Sequence, residues 1–197
     1  LPVRSAWLTP GDQPRPLRGC VVQTAVPSET DFVGDLTLSS RVVRRKHRNH
    51  LSAALAAIES MLALRATHHA HKDRLDWLIF PELAVHPSDV KSHLIPFARA
   101  NKTIILAGLA YERIAINTPL VNSALWVIPR RTPSGGVEVI VRRQGKCHLA
   151  QLENDFNAKK NEVCSFRPCQ WVIEYEWTID QKAPALCLTA AICYDAT

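Results

Sequence analysis

One long amphipathic stretch between two apolar runs constrains the fold most strongly. Within Val42–Ala66, six apolar residues recur at steps of three and four, which places them on one face of a helix: Leu51, Ala54, Leu55, Ile58, Met61 and Leu62. Alanine and leucine dominate this stretch, and both favour helix. The flanking runs Gly19–Val26 and Leu75–Leu83 are largely apolar, as expected of buried strands. The order strand, helix, strand predicts an α/β domain.

The rest of the chain continues this pattern with more strands. A second helix is predicted to begin at Ser88 or Asp89 as its N-cap and to end near Asn101, with Pro96 weakening or kinking it. The sequence T-P-S-G-G at 132–136 predicts a hairpin turn. Further strands are predicted at Thr103–Ala107, Ser123–Ile128 (stopped by Pro129), Val137–Val141, Trp171–Trp177 and Ala185–Ile192.

Composition indicates an ordinary globular domain. The chain has 197 residues, of which 47% are hydrophobic and 21% charged, enough for one domain with a substantial core. It contains neither an apolar run of the ~18 residues that span a bilayer nor a secretory signal pattern, so we expect no membrane association and a cytoplasmic location. Leu1–Arg18 holds four of the 13 prolines and is predicted to be an arm or linker before a domain at 19–197.

Several charged or metal-type clusters have ordinary explanations. The basic block Arg41–His50 could contact phosphates, but a solvated helix start is favoured. The three histidines in His68–Arg74 are expected to be solvated loop residues, and Cys164 and Cys169 have no second pair to complete a zinc site. No metal site is therefore predicted. Two further cysteines in apolar runs are expected to pack as small hydrophobic residues: Cys20 and Cys187.

Reactive side chains follow three apolar or strand-like runs. Glu82 comes directly after W-L-I-F-P, where burial would suit a carboxylate to proton transfer, although a glutamate simply reaching solvent fits equally well. Lys146 could stabilise a developing oxyanion, and Glu153 is a second candidate carboxylate; each could also be an ordinary surface residue. Cys193 ends the last apolar run, where a thiol is either a core residue or a rigidly held nucleophile.

These segments together resemble the carbon–nitrogen hydrolase (nitrilase) superfamily. The resemblance lies in three ordered motifs: F-P-E-L at Phe80–Leu83, G-K-C-H-L-A-Q-L-E at Gly145–Glu153, and A-I-C-Y-D at Ala191–Asp195. Weaker similarities occur in V-V-Q-T-A-V-P after the first strand, in I-L-A-G-L around Gly108, and in N-S-A-L-W-V-I-P at Asn122–Pro129. The resemblance extends from about Gly19 to the end of the chain.

The resemblance implies a fold and a chemistry. The implied fold is a four-layer α-β-β-α sandwich, and the implied activity is cleavage of amides, nitriles or carbamoyl groups through a cysteine thioester. Glu82, Lys146 and Cys193 would form the catalytic set, with the Tyr194 backbone N–H as a second oxyanion donor. Glu153 would position substrate, although it lies one residue closer to the lysine than is usual in the family. No metal or organic cofactor would be needed, and a homodimer through the sheet-side face would be expected.

Family members continue well beyond the nucleophile, whereas four residues follow Cys193 here. We therefore expect the domain to be incomplete at its C-terminus and to belong to a larger protein, such as a fusion with a reverse transcriptase. The first alternative is a catalytically silent nitrilase-like module of such a protein. The second is a nucleic-acid-binding module that uses Arg41–Arg48, and the third is papain-like thiol chemistry, for which His148 would be the base.

Overall fold

The computed structural model describes residues 2–6, 17–24, 27–68, 74–146, 148–151, 153–155, 172–176 and 186–190. The described chain is a mixed α/β structure, which confirms the predicted class. Its α-helices are α1 (Arg41–His68) and α2 (Ile95–Asn101). Its strands are β1 (Pro2–Ala6), β2 (Gly19–Val21), β3 (Trp77–Val85), β4 (Ile104–Arg113), β5 (Leu120–Arg131), β6 (Val137–Gly145), β7 (Val172–Glu176) and β8 (Leu186–Leu188).

The strands form two sheets. The larger has the order β2-β3-β4-β5-β6; its first three strands are parallel, and β5 and β6 are each antiparallel to the strand before. The smaller has the order β1-β7-β8, with β1 parallel to β7 and β8 antiparallel to it. In the larger sheet, the ends of β3, β4 and β6 and the start of β5 consequently lie at one edge.

Helix α1 covers one face of the larger sheet, as its periodicity predicts. Leu51, Leu55 and Ile58 are buried on this helix and belong to the main core with alternate residues of β3, β4 and β5. Burying each such side chain contributes about 1.5–3 kcal/mol relative to leaving it exposed. In the described part of the chain, no helix is both long and apolar enough to cross a bilayer.

The opposite face of the larger sheet is also covered. Ile104, Trp126 and Ile128 alternate with the helix-facing residues of β4 and β5, and they form a second core cluster. Ala190 is buried in that cluster and Leu188 of β8 packs against it. The larger sheet is therefore a layer between helices on one side and residues of the smaller sheet on the other.

Strand β5 does not stop at Pro129, contrary to prediction. It continues to Arg131, with Pro129 paired opposite Val139 of β6. The Thr132 N–H donates to the Gly136 carbonyl, so Thr132 belongs to a hydrogen-bonded pair of the β5–β6 ladder. Hydrogen-bonded and non-hydrogen-bonded pairs alternate along an antiparallel ladder, so Pro129, three residues earlier, belongs to a non-hydrogen-bonded pair and its nitrogen points away from β6. On the β4 side, Pro129 lies beyond the first residue of β4, so the missing N–H of proline costs no ladder hydrogen bond there.

The second predicted helix is divided and is not capped as expected. A 3₁₀ turn at Pro87–Asp89 and a π-helical turn at Val90–Leu94 precede α2, so Pro96 falls in the first turn of the α-helix, where it is tolerated. The Asp89 side chain forms no cap hydrogen bond. It instead binds arginines of α1, a long-range contact that local pattern does not reveal.

Two further differences concern the chain start and the cysteines. Pro2–Ala6, within the predicted arm, forms a strand that pairs with β7 some 170 residues away. Such distant pairing leaves no local periodicity. Cys20 is half-buried against the main core as expected, and burial raises the pKa of its thiol. Cys187 is exposed on β8, so the prediction that it packs as a hydrophobic residue is wrong.

Candidate active site

The candidate site lies at the edge of the larger sheet where β3, β4 and β6 end. Glu82 lies near the end of β3, Asn122 near the start of β5, and Lys146 directly after β6. The Lys146 N–H donates to the Asn122 carbonyl at 3.0 Å, which ties the exit of β6 to β5. Ligands of open α/β sheets bind at this edge, beyond the carboxyl ends of the strands.

The backbone around Glu82 is distorted. The register between β3 and β4 shifts between Phe80 and Val85, and Leu83 has a φ of 61°, a left-handed value that is uncommon for leucine. Backbone strain of this kind costs about 1–3 kcal/mol and is concentrated at functional sites. The bulge lifts the Glu82 side chain out of the regular alternation of the strand.

Gly108 of β4 permits that distortion. A Cβ atom at Gly108 would lie 2.4 Å from the Glu82 Cα and 2.4 Å from the Pro81 carbonyl oxygen. Both are backbone atoms, which cannot rotate out of the way. Position 108 therefore requires glycine for β4 to approach the strand segment that carries Glu82.

Lys146 lies between two carboxylates. Its Nζ is 3.1 Å from Glu82 Oε1 and 2.8 Å from Glu153 Oε2. The lysine side chain is 2% exposed, and so is that of Glu153, whereas Glu82 is 31% exposed. The three residues that the sequence indicates as Glu, Lys and second Glu are thus in direct contact.

Asn122 joins the same two carboxylates from another position. Its Nδ2 donates to Glu82 Oε1 at 2.5 Å and to Glu153 Oε1 at 3.0 Å. Asn122 is 1% exposed, so solvent competes little for these hydrogens. Lys146 and Asn122 therefore bridge the two glutamates in a closed ring of four side chains.

The two glutamates have different hydrogen-bond environments. Glu153 accepts from four groups: Tyr111 Oη at 3.1 Å and Asn122 at Oε1, and Lys146 and the Ala150 N–H, the latter at 2.8 Å, at Oε2. An ionised carboxylate has about four acceptor positions, so those of Glu153 are occupied. Both contacts of Glu82 within the described chain are to Oε1. Glu82 is therefore the better candidate for proton exchange.

Charge states in the ring follow from opposing effects. Burial acts to lower the pKa of Lys146, but the contacts to Glu153 and Glu82 outweigh it and raise the pKa above its usual value. Burial acts to raise the pKa of Glu153, but hydrogen bonds from Lys146, Asn122 and the Ala150 N–H lower it overall. At neutral pH the site therefore holds an ammonium ion and an ionised Glu153, and Lys146 acts as a cation and not as a base.

Sequence reasoning does not identify two members of this arrangement. The sequence indicates Asn122 only as the first residue of the weaker similarity N-S-A-L-W-V-I-P, and it does not indicate Tyr111 at all. An asparagine inside the largely apolar strand V-N-S-A-L-W-V is a signal that could have found the first residue, because a buried amide needs partners. Tyr111 carries no such signal, since its contact with Glu153 depends on the tertiary fold.

Cys193 and Tyr194 lie outside the described residues, as do Cys164 and Cys169. Three residues before Cys193, Ala190 is buried, and its carbonyl accepts a hydrogen bond from Gln144 Nε2 at 2.5 Å. Gln144 stands two residues before Lys146 on the exit of β6. Within the described residues, no three metal-type side chains are grouped to hold an ion.

The basic block is largely part of the fold. Arg44 and Arg48 both bind Asp89, at 2.6 and 2.9 Å, and Asp89 is 1% exposed. Lys46 lies 3.1 Å from Asp31. The block does begin a helix, as favoured, but these side chains are paired and not simply solvated. Beside them, burial and then Arg44 lower the pKa of His86 to about 4.

No protein-family model matches the chain, and comparison with curated proteins gives no significant match.

Proposed function

We propose that this protein is a cysteine hydrolase of non-peptide carbon–nitrogen bonds, resembling the nitrilase superfamily. One observation carries the proposal: Glu82 from one sequence motif and Lys146 and Glu153 from another form one hydrogen-bonded network at a single sheet edge. The sequence motifs indicate the first two as the base and the oxyanion-stabilising cation. The fold proposed with this activity is the α-β-β-α sandwich; helices on one face of the larger sheet and β-strand residues on the other support it.

The first half-reaction would acylate Cys193. Glu82 takes the thiol proton, and the thiolate attacks the carbonyl carbon of an amide, forming the carbon–sulfur bond. Lys146 and the Tyr194 N–H stabilise the resulting oxyanion. The protonated Glu82 then delivers its proton to the leaving nitrogen as the carbon–nitrogen bond breaks, which releases ammonia or an amine and leaves a thioester.

The second half-reaction would hydrolyse that thioester. Glu82, again ionised, removes a proton from a water molecule, and the hydroxide adds to the thioester carbon. When the carbon–sulfur bond breaks, the product carboxylic acid departs, and the proton held by Glu82 returns to the thiolate. With a nitrile, addition of the thiol gives a thioimidate, and hydrolysis of that species releases ammonia and gives the same thioester.

The charge on Lys146 supports its assigned role. An unperturbed thiol has a pKa of about 8.5 and is a few per cent thiolate at neutral pH, so activation is required. A permanent cation in a largely buried site favours both the thiolate and the later oxyanion. Removing one such oxyanion donor from an enzyme costs about 10²–10³ in kcat.

A panel of small amides and nitriles tests the proposal. We expect ammonia release by the wild type, none above background in Cys193→Ala, and a loss of about 10²-fold or more in Glu82→Gln. A wild type that releases no ammonia supports the alternative, a catalytically silent module. Release that is unchanged in Cys193→Ala excludes cysteine catalysis. A nucleic-acid-binding module is not favoured, because Arg44, Lys46 and Arg48 are engaged by acidic residues.

A further inference from the structure

We propose that Asn122 is a positioning residue that fixes Glu82 through its Oε1 oxygen, so that proton exchange takes place at Oε2. This inference rests on the proposed function, because it concerns the same base. Neither the sequence motifs nor the catalytic set assigns a role to Asn122. Three features support the role. The two amide hydrogens of Asn122 bind different glutamates, the contacts of Glu82 within the described chain leave Oε2 for proton exchange, and Glu153 is the more firmly held of the two glutamates.

The amide of Asn122 has two hydrogens on one nitrogen, and each is directed to a different glutamate. The distances are 2.5 Å to Glu82 Oε1 and 3.0 Å to Glu153 Oε1. The opposite orientation of the amide would set its carbonyl oxygen against two acceptors, which cannot donate to it when ionised. The contacts therefore fix the orientation of Asn122.

The same contacts determine which oxygen of Glu82 exchanges protons. Oε1 accepts from Asn122 and from Lys146, at 2.5 and 3.1 Å, which occupies both of its acceptor positions. A proton arriving at the carboxylate consequently binds at Oε2. Without Asn122, Oε1 would keep a single donor, and the side chain could rotate to exchange its two oxygens.

Asn122 also links a partly exposed glutamate to an anchored one. Glu153 is 2% exposed and is held by Tyr111, Lys146 and the Ala150 N–H, whereas Glu82 is 31% exposed. A glutamate has three rotatable side-chain bonds, so a partly exposed one needs external contacts to stay in one rotamer. The amide supplies such a contact from a rigid position on β5.

The amide is retained at a cost to stability. Asn122 Oδ1 is buried and has no hydrogen-bond partner among the described residues. Buried oxygens without partners are uncommon in proteins and destabilise the fold. An apolar residue would avoid this cost, so the two donated hydrogen bonds are the physical reason for an asparagine here.

Alkylation of Cys193 tests the inference without a known substrate. The full chain is treated with iodoacetamide across pH 5–10, and the modified Cys193 peptide is quantified by mass spectrometry in wild type, Asn122→Leu, Asn122→Ser and Ser123→Ala. Ser123→Ala is the matched control, since it removes a buried hydroxyl that donates to a different glutamate, Glu112, from the position next to Asn122 on β5, and it leaves both contacts of Glu82 in place. Thermal unfolding of each variant verifies that it folds.

We expect Asn122→Leu to slow alkylation at pH 7 by about 10-fold or more and to move the pH profile toward that of an ordinary thiol. Asn122→Ser keeps one donor hydrogen and should be intermediate, which also covers the case in which the leucine variant does not fold. Ser123→Ala should stay within about 3-fold of wild type. Equal effects of the Asn122 and Ser123 variants overturn the inference alone. A wild-type Cys193 with the profile of an ordinary thiol overturns the proposed function and removes the basis of this inference.

Discussion

Replacing Gly108 by alanine should disturb the site from a position that carries no reactive group. The added Cβ would lie 2.4 Å from the Glu82 Cα, 2.4 Å from the Pro81 carbonyl oxygen and 2.8 Å from the Glu82 nitrogen. Ordinary contacts begin at 3.4 Å, so the two strands must separate locally by about 1 Å. The atoms concerned are backbone, so the displacement passes directly to Glu82.

Two magnitudes follow from that displacement. Overpacking of this kind costs about 1–3 kcal/mol, which for a chain of this size lowers the melting temperature by several degrees. Moving a catalytic group by about 1 Å costs about 10²-fold in rate. Gly108→Ala should therefore lose far more reactivity at Cys193 than its loss of stability alone would explain.

Thermal unfolding and iodoacetamide labelling of Cys193 measure the two effects separately. Gly136→Ala is the matched control, because its Cβ would meet one flexible hydroxyl, that of Thr132, at 3.1 Å. We expect that control to unfold and react like wild type. A Gly108→Ala protein with wild-type melting temperature and wild-type labelling would refute the claim that close strand approach sets the position of Glu82.

Three further predictions concern buried charges. Lys146→Met should destabilise the protein by about 3–5 kcal/mol in urea unfolding, because it leaves the buried Glu153 carboxylate without its cation, and adding Glu153→Gln should recover part of that loss. Asp89→Asn should cost about 3 kcal/mol, since it leaves two arginines without their shared anion, whereas Glu138→Gln in an exposed pair should cost less than ~1 kcal/mol. Stability should fall by up to about 3 kcal/mol as the pH is lowered from 6.5 to about 4, and His86→Asn should reduce this dependence.

The sign of the pH effect follows from proton uptake. The imidazole of His86 has a pKa of about 4 in the folded protein against an ordinary value of 6.5, so the unfolded chain binds the proton first and is favoured as the pH falls. An equally steep dependence in His86→Asn would assign the effect to other groups. If the losses in unfolding free energy are additive in the Lys146→Met, Glu153→Gln double variant, the two residues are not directly coupled, contrary to expectation. Equal losses in Asp89→Asn and Glu138→Gln would contradict the expectation that burial makes an ion pair costly to break.

Local periodicity predicts an element when the residues that it buries recur at a regular spacing in its own sequence. The predicted ends of helix α1 lie within two residues of the observed ones, because the apolar stripe from Leu51 to Leu62 repeats over about three turns and the alanines and leucines that follow it also favour helix. Strand β1 is not predicted, because its only described partner is β7, far along the chain. The path of β5 through Pro129 also depends on tertiary context, namely where β4 begins.

The candidate site, too, can be predicted from the sequence only in part. Glu82 and Lys146 can be selected from the sequence because each follows an apolar or strand-like run and stands in a recognisable order. The network could not be predicted, because a bulge at Leu83 and a close approach at Gly108 bring Glu82 to Asn122. Tyr111 and the exposure of Cys187 likewise depend on neighbours that are distant in sequence.

Detection of an acyl-enzyme at Cys193 would test the proposed thioester mechanism without relying on product release. The protein would be mixed with an amide from the panel, quenched in acid within the first turnovers, digested and analysed by mass spectrometry. If Cys193 is the nucleophile, the peptide containing it gains the mass of the acyl group, and this adduct is absent from Cys193→Ala. Ammonia release without an adduct at Cys193, and at the same rate in Cys193→Ala, would contradict that mechanism.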